Sequence, residues 1–220
     1  MQDERRGART APGAISSNNP YHRGAGFYDL NLSLPVISLI RRQEARAISD
    51  LIARYADGGG RALEVGPGTG FYTLELARRF REVVAVEESA GMAGILRERL
   101  ELAQTSNVTV VNRDFLALPA DGSFEVAVAV GVLDYISDPA AFVSRMCASA
   151  RQAVILTVPQ RGLWGKCFVV ANRLRKTAVY CHDLKAPGRW SPDWRCMVKE
   201  VGLKTPLTKG LTLVAALERR

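Results

Sequence analysis

Lysine is missing from the first 150 residues of this 220-residue chain, histidine occurs only twice, no two cysteines form a C-x-x-C pair, and nowhere do 18 apolar residues run together. Each gap removes a class of protein. The four cysteines, Cys147, Cys167, Cys181 and Cys196, lie 14 to 20 residues apart, which is neither zinc-ligand nor redox spacing. Reduced thiols in a cytoplasm are expected, and no metal site. Without a long apolar run nothing is expected to span a bilayer. Arg5 and Arg6 are not followed by an apolar segment, so neither a secretory nor a twin-arginine leader is expected. Nor are disulfides required, because a chain of this length can bury a sizeable core unaided.

The missing lysines expose a charge asymmetry. Residues 1–150 carry 16 arginines against 18 acids, a net of −2, whereas residues 151–220 carry 14 lysines and arginines against 4 acids, a net of +10. A basic last third suits an anionic partner such as a phospholipid surface, RNA or an acidic small molecule; a solvated basic face is the plain alternative.

Residues 1–25 are rich in Gly, Ser, Asn, Pro and Arg without periodicity, as in a flexible arm. From Pro35 to Ala56, Ile37, Ile40, Ala45, Ile48, Leu51 and Ile52 recur at helical spacing, which predicts an amphipathic helix inside an N-terminal cap, residues 26–58. Five short apolar runs follow, at 61–65, 82–87, 107–111, 124–131 and 153–159, with helical patterns around 70–80, 89–103 and 138–149. Apolar strands alternating with helices predict a doubly wound, mostly parallel α/β sheet, one domain from residue 26 to 220. Two further β segments, broken at Lys209-Gly210, predict a C-terminal antiparallel hairpin and seven strands in all. Residues 160–191 fit no simple crossover and read as an insertion.

The stretch "LEVGPGTGFY" places Gly66, Gly68 and Gly70 just after the first predicted strand, where open α/β sheets bind ligands. Glycines there allow positive φ or close backbone approach; a tight turn without a ligand is the alternative. A dinucleotide fingerprint needs a third glycine at the position of Phe71, and no G-K-[ST] follows. Glu64 lies inside the strand, two residues before Gly66. A carboxylate so placed repels phosphate and suits a cationic ligand.

These residues resemble the class I S-adenosylmethionine-dependent methyltransferases, in particular the branch acting on small molecules and lipids. The resemblance covers residues 28–159 and implies a Rossmann-like methyltransferase fold that binds S-adenosyl-L-methionine. It implies that Gly66, Gly68 and Gly70 carry the methionine portion and that Glu64 helps hold its ammonium. Glu87, 17 residues past Gly70, matches the acid that accepts the ribose hydroxyls; a carboxylate offers two oxygens to a vicinal diol. Met92 would cover the adenine, with helix core as the alternative. Asp114 and Phe115 match the pair that reads the adenine edge, with capping as the alternative for Asp114. Gly131 begins the segment whose carbonyls meet the ammonium, and Tyr28, in "FYDL", matches an N-terminal lid.

For catalysis the candidates are Asp134, Tyr135 and His182, with Tyr180 and Asp183 beside them. Asp134 and Tyr135 stand where relatives often carry histidine, which departs from a histidine-base pattern. The expected acceptor is a small or amphipathic molecule, a lipid headgroup, tetrapyrrole or other metabolite methylated on oxygen or nitrogen. Trp164 and Phe168 among the cations of 160–191 suggest an anionic membrane surface, with the protein peripheral to its inner face; core packing is the alternative for those aromatics. Nucleic acid is less favoured: "GVLDY" is not the Asn/Asp-Pro-Pro-aromatic tetrapeptide of exocyclic-amine enzymes, and no catalytic cysteine follows "TVP". A non-catalytic cofactor-binding regulator is the reading outside enzymology.

Overall fold

A computed structural model of the chain describes residues 35–56, 59–160, 178–183, 189–190, 192–201 and 212–219. Helix α1, Pro35–Tyr55, leads into an alternation of β1 (Arg61–Val65), α2 (Thr73–Arg79), β2 (Glu82–Val86), α3 (Ala90–Leu102), β3 (Val108–Val111) and β4 (Phe124–Ala129). Then come α4 (Ala140–Ser149), β5 (Ala150–Pro159), β6 (Trp194–Val201) and β7 (Thr212–Arg219). One seven-stranded sheet runs β3-β2-β1-β4-β5-β7-β6. β7 is antiparallel to both of its neighbours, and the other pairings are parallel.

The strands read as apolar throughout because both faces are covered. On one face Val83, Val126, Val128 and Ile155 meet Ile48 and Ile52 of α1 and Leu76 and Phe80 of the α2 end. Further along that face Ala85 packs with Leu96 and Leu100 of α3. On the other, Ala127, Ala129, Val154 and Leu156 meet Phe142, Val143 and Met146 of α4. The predicted N-terminal cap helix is thus one of the covering helices.

Strand order reverses between β1 and β4, the topological switch point at which a crevice opens beyond the carboxyl ends. Register brings those ends level: Glu64 lies beside Val128 and Ala85, and Val65 beside Val86.

The expected C-terminal antiparallel pair is present, with its first strand earlier in the chain than the sequence suggests. β7 pairs with Trp194–Val201 across eight registered positions, from Trp194↔Arg219 to Val201↔Thr212, and Lys209-Gly210 lies outside the described residues. Arg195 and Lys199 disguised this strand in the sequence; charge is what a sheet edge carries to discourage further pairing. Among the described residues no helix is long and apolar enough to cross a membrane.

Candidate functional site

The turn after β1 is shaped by its glycines. Gly66, Gly68 and Gly70 have φ of +67°, +57° and +88°, the left-handed region that costs a side chain dearly. At Gly66 a Cβ would stand 2.5 Å from Val132 Cγ2, and at Gly70 it would collide with Leu96. Gly68 has more room, its nearest neighbour being Met92 Cε at 3.5 Å. Two of the glycines therefore serve packing as well as turning, and the middle one brings backbone close to Met92. Phe71, in the third dinucleotide slot, is 60% exposed.

Two carboxylates flank the turn. Glu64 is only 3% exposed, and its Oε2 accepts the Thr73 hydroxyl at 2.6 Å. Burial pushes its pKa up to about 7; Thr73 opposes the rise and the charge of Glu87 adds to it. Glu87 is buried at the end of β2. Its Oε2 accepts Gly68 N–H at 3.2 Å and its Oε1 accepts Ser89 N–H at 2.9 Å. The Glu87 backbone is tied in turn: its N–H donates to Val111 and its carbonyl accepts Asn112 Nδ2–H at 2.7 Å. This carboxylate pair makes the turn a place for positive charge.

Met92 and Phe115 are both buried. Met92 sits in the first turn of α3, whose N-cap is Ser89. Phe115 stacks edge-on against Phe142 with centroids 5.3 Å apart, so its ring belongs to the core and only its backbone can face a ligand. Asp114 caps the short 3-10 turn Phe115–Ala117, Oδ1 accepting Leu116 N–H at 2.9 Å. Gly131, φ +69°, donates its N–H to the buried Thr157 hydroxyl at 2.7 Å, and a Cβ there would meet nothing within 4 Å. Space therefore opens beyond β4.

The segment after β4 forms a second 3-10 turn, Leu133–Tyr135. Tyr135 is buried. Burial pushes the Asp134 carboxyl up to about 6, with Arg41 lowering it and Glu44 raising it. Those two residues lie on α1, where Arg41 Nη1 pairs with the buried Glu44 at 2.8 Å. His182 is 7% exposed, and its Nε2 bonds the Leu133 carbonyl at 3.2 Å. Asp134, Tyr135 and His182 thus stand together at the turn after β4.

Sequence reasoning missed Thr73, Ser89, Asn112, Thr157 and the Arg41–Glu44 pair. Thr73 had a faint signal, a hydroxyl at the first position of the helix that packs back over its strand. The others are joined to the site by contacts 25 or more residues apart, or by one backbone amide, and no local pattern encodes these. Tyr28, Trp164 and Phe168 lie outside the described residues. So does most of the 160–191 insertion.

Residues 62–153 match the family described as "Methyltransferase domain". Magnesium-protoporphyrin O-methyltransferase of Rhodobacter capsulatus is 32% identical over 143 residues, 60% of this chain and 62% of that protein. Ribosomal RNA small subunit methyltransferase A of Desulforapulum autotrophicum is 39% identical over 77 residues, 34% of this chain and 27% of that protein. The chain thus spans less than two thirds of these curated relatives. Among solved structures, magnesium protoporphyrin IX methyltransferase from Synechocystis PCC 6803, with bound SAH, superposes with a TM-score of 0.70 at 18% identity, covering 91% of this chain and 97% of that one.

Proposed function

We propose that this chain, which carries a methyltransferase domain at residues 62–153 on the class I methyltransferase fold, transfers a methyl group from S-adenosyl-L-methionine to a small or amphipathic acceptor. The observation that carries the donor reading is the pair Glu64 and Glu87 flanking a glycine turn. A sulfonium with an ammonium tail relieves the repulsion between these acids, whereas a pyrophosphate would add to it. The residues present fit that ligand.

In this reading Gly66, Gly68 and Gly131 let backbone approach the methionine portion, and Glu64 faces its ammonium. Glu87, held by two backbone amides, takes the ribose hydroxyls. Met92 lies over the adenine, and Asp114 with the Phe115 N–H reads its edge. When bound, the donor supplies a methyl group already activated on sulfur. The chain's own work is to align a nucleophile with it and exclude water, an orientation effect that can be worth about 7–11 kcal/mol. A base is needed only for an acceptor that arrives protonated. Asp134, whose carboxyl releases its proton at about pH 6, is the residue suited to that task near neutrality.

A small acceptor is favoured over RNA because the alignment to the magnesium-protoporphyrin enzyme spans a larger share of this chain than the alignment to the ribosomal RNA enzyme. RNA remains the second reading, on the basic last third. Calorimetry with S-adenosylmethionine tests the donor, and absence of binding by the wild-type protein would sink the reading. Tritiated donor offered with magnesium protoporphyrin, lipid extract and RNA in separate reactions tests the acceptor. Label entering RNA alone would replace the favoured class with the second.

A further inference from the structure

The chain leaves the sheet at Gln160 and touches it again at His182, with which Gln160 forms an isolated parallel bridge. Residues 178–183 lie as a strap across the carboxyl ends of β4 and β5. Val179 is buried. Tyr180 N–H donates to the Asp134 carbonyl and His182 N–H to the Pro159 carbonyl, each at 2.8 Å. The His182 ring adds the bond to the Leu133 carbonyl at 3.2 Å and stands edge-on to Trp190, centroids 5.4 Å apart. Two of these bonds end on consecutive carbonyls, Leu133 and Asp134, in the short turn that carries the acceptor-side candidates.

A carbonyl only accepts, so His182 Nε2 carries a proton and donates. In a neutral ring Nδ1 is then the accepting nitrogen, so the bond to Leu133 fixes both the tautomer and the place of the ring, which also stands against the Trp190 indole. The geometry is that of a fastener.

We propose that His182 is a positioning residue: its ring fastens the strap 178–183 to the turn after β4 and so sets where Asp134 stands on the acceptor side. The functional consequence rests on the methyltransferase reading, which makes that turn the acceptor side; the fastening itself does not. Asp134 is then tied to the strap by the bond from Tyr180 N–H to its carbonyl, while Arg41 and Glu44 of α1 act on its carboxyl with opposite charge.

The test separates fastener from base by replacement. Glutamine can donate an amide N–H to the Leu133 carbonyl but cannot act as a base, so His182→Gln should keep the strap while His182→Ala should loosen it. In the full chain, amide exchange at Tyr180 read by NMR should accelerate about 10-fold or more in His182→Ala, as loss of a buried hydrogen bond would give. With carboxyl-labelled aspartate, the Asp134 titration should move in His182→Ala from about 6 toward the ordinary carboxylate range. Both readouts should return to wild type in His182→Gln. Should the alanine variant not fold, Trp190→Leu removes the ring contact while leaving an apolar side chain to pack against the core, and should speed Tyr180 exchange more modestly. Unchanged exchange and titration in His182→Ala, or a glutamine variant as loose as alanine, would overturn the proposal. Donor calorimetry on the same proteins keeps the two claims apart: a wild type that binds no S-adenosylmethionine overturns the methyltransferase reading and leaves the exchange result standing.

Discussion

The Thr73 hydroxyl donates a 2.6 Å hydrogen bond to Glu64 Oε2, joining the first residue of α2 to the interior of β1. That bond favours the ionised carboxylate, while burial and the neighbouring Glu87 disfavour it, and burial prevails. Glu64 therefore changes charge close to neutrality.

A cationic ligand binds the ionised form better, so donor affinity should rise with pH up to about 7, by at most about 10-fold per pH unit. The stability of the unliganded protein should move the opposite way. With its folded pKa raised, Glu64 holds its proton in the folded state where the unfolded chain has lost it, so its contribution falls as pH rises from the ordinary carboxylate range to about 7. Glu64→Gln should flatten both profiles, as calorimetry and urea melts across that range would show. A donor affinity that stays flat with pH in the wild type would count against a buried, titrating Glu64.

The glycines should separate into two kinds. Gly70→Ala forces a Cβ into Leu96 at a positive φ and should destabilise by about 2–4 kcal/mol, combining strain with overpacking. Gly131→Ala meets open space at a similar φ and should cost about 1 kcal/mol. Urea denaturation of the two variants gives the comparison, and equal losses would mean that packing adds nothing at Gly70.

Glu87→Ala should weaken S-adenosylmethionine binding at least about 10-fold, the loss of charge-assisted bonds to a diol. It also releases the Gly68 and Ser89 amides. Glu87→Gln, which can still accept one of those amides, should retain more of the folding stability than Glu87→Ala while still binding weakly. Calorimetry paired with thermal melts would resolve the two effects.

Helix α1 should behave as core. Ile52 is fully buried against the sheet, so Ile52→Ala should destabilise by about 2–5 kcal/mol. A loss below about 0.5 kcal/mol, the size of an ordinary surface change, would mean that the helix is a detachable cap.

The fold was largely legible. Both faces of β1, β2, β4 and β5 are covered, so their residues are apolar without alternation and stand out from the helices between them. β6 was not legible: as an edge strand it carries Arg195, Lys199 and Glu200 among its apolar residues without a regular alternation, and its partners lie 11 to 25 residues away, so no local pattern announces the pairing. In the site, Glu64 could be named because it lies two residues before the glycine turn, inside the strand that leads into it, and Glu87 because the resemblance to the methyltransferase family places an acid at the end of the second strand. His182 could be named only as a rare residue type. Its bond to Leu133 spans 49 residues, and sequence offers no view across such a gap.

Residue chemistry along the chain was enough to determine the α/β alternation, the turn with three glycines and the acids that make it a site for positive charge. The alternation, the turn and Glu64 are local properties, set by backbone conformation and by side chains a few residues apart, while Glu87, 17 residues past Gly70, is placed by the family resemblance. Tertiary structure alone decided that Glu64 and Glu87 come close enough for their charges to interact, that α1 belongs to the core, and that the buried His182 ties a distant segment to the end of β4. Those outcomes depend on strand order and register, which bring together residues that no spacing in the sequence connects.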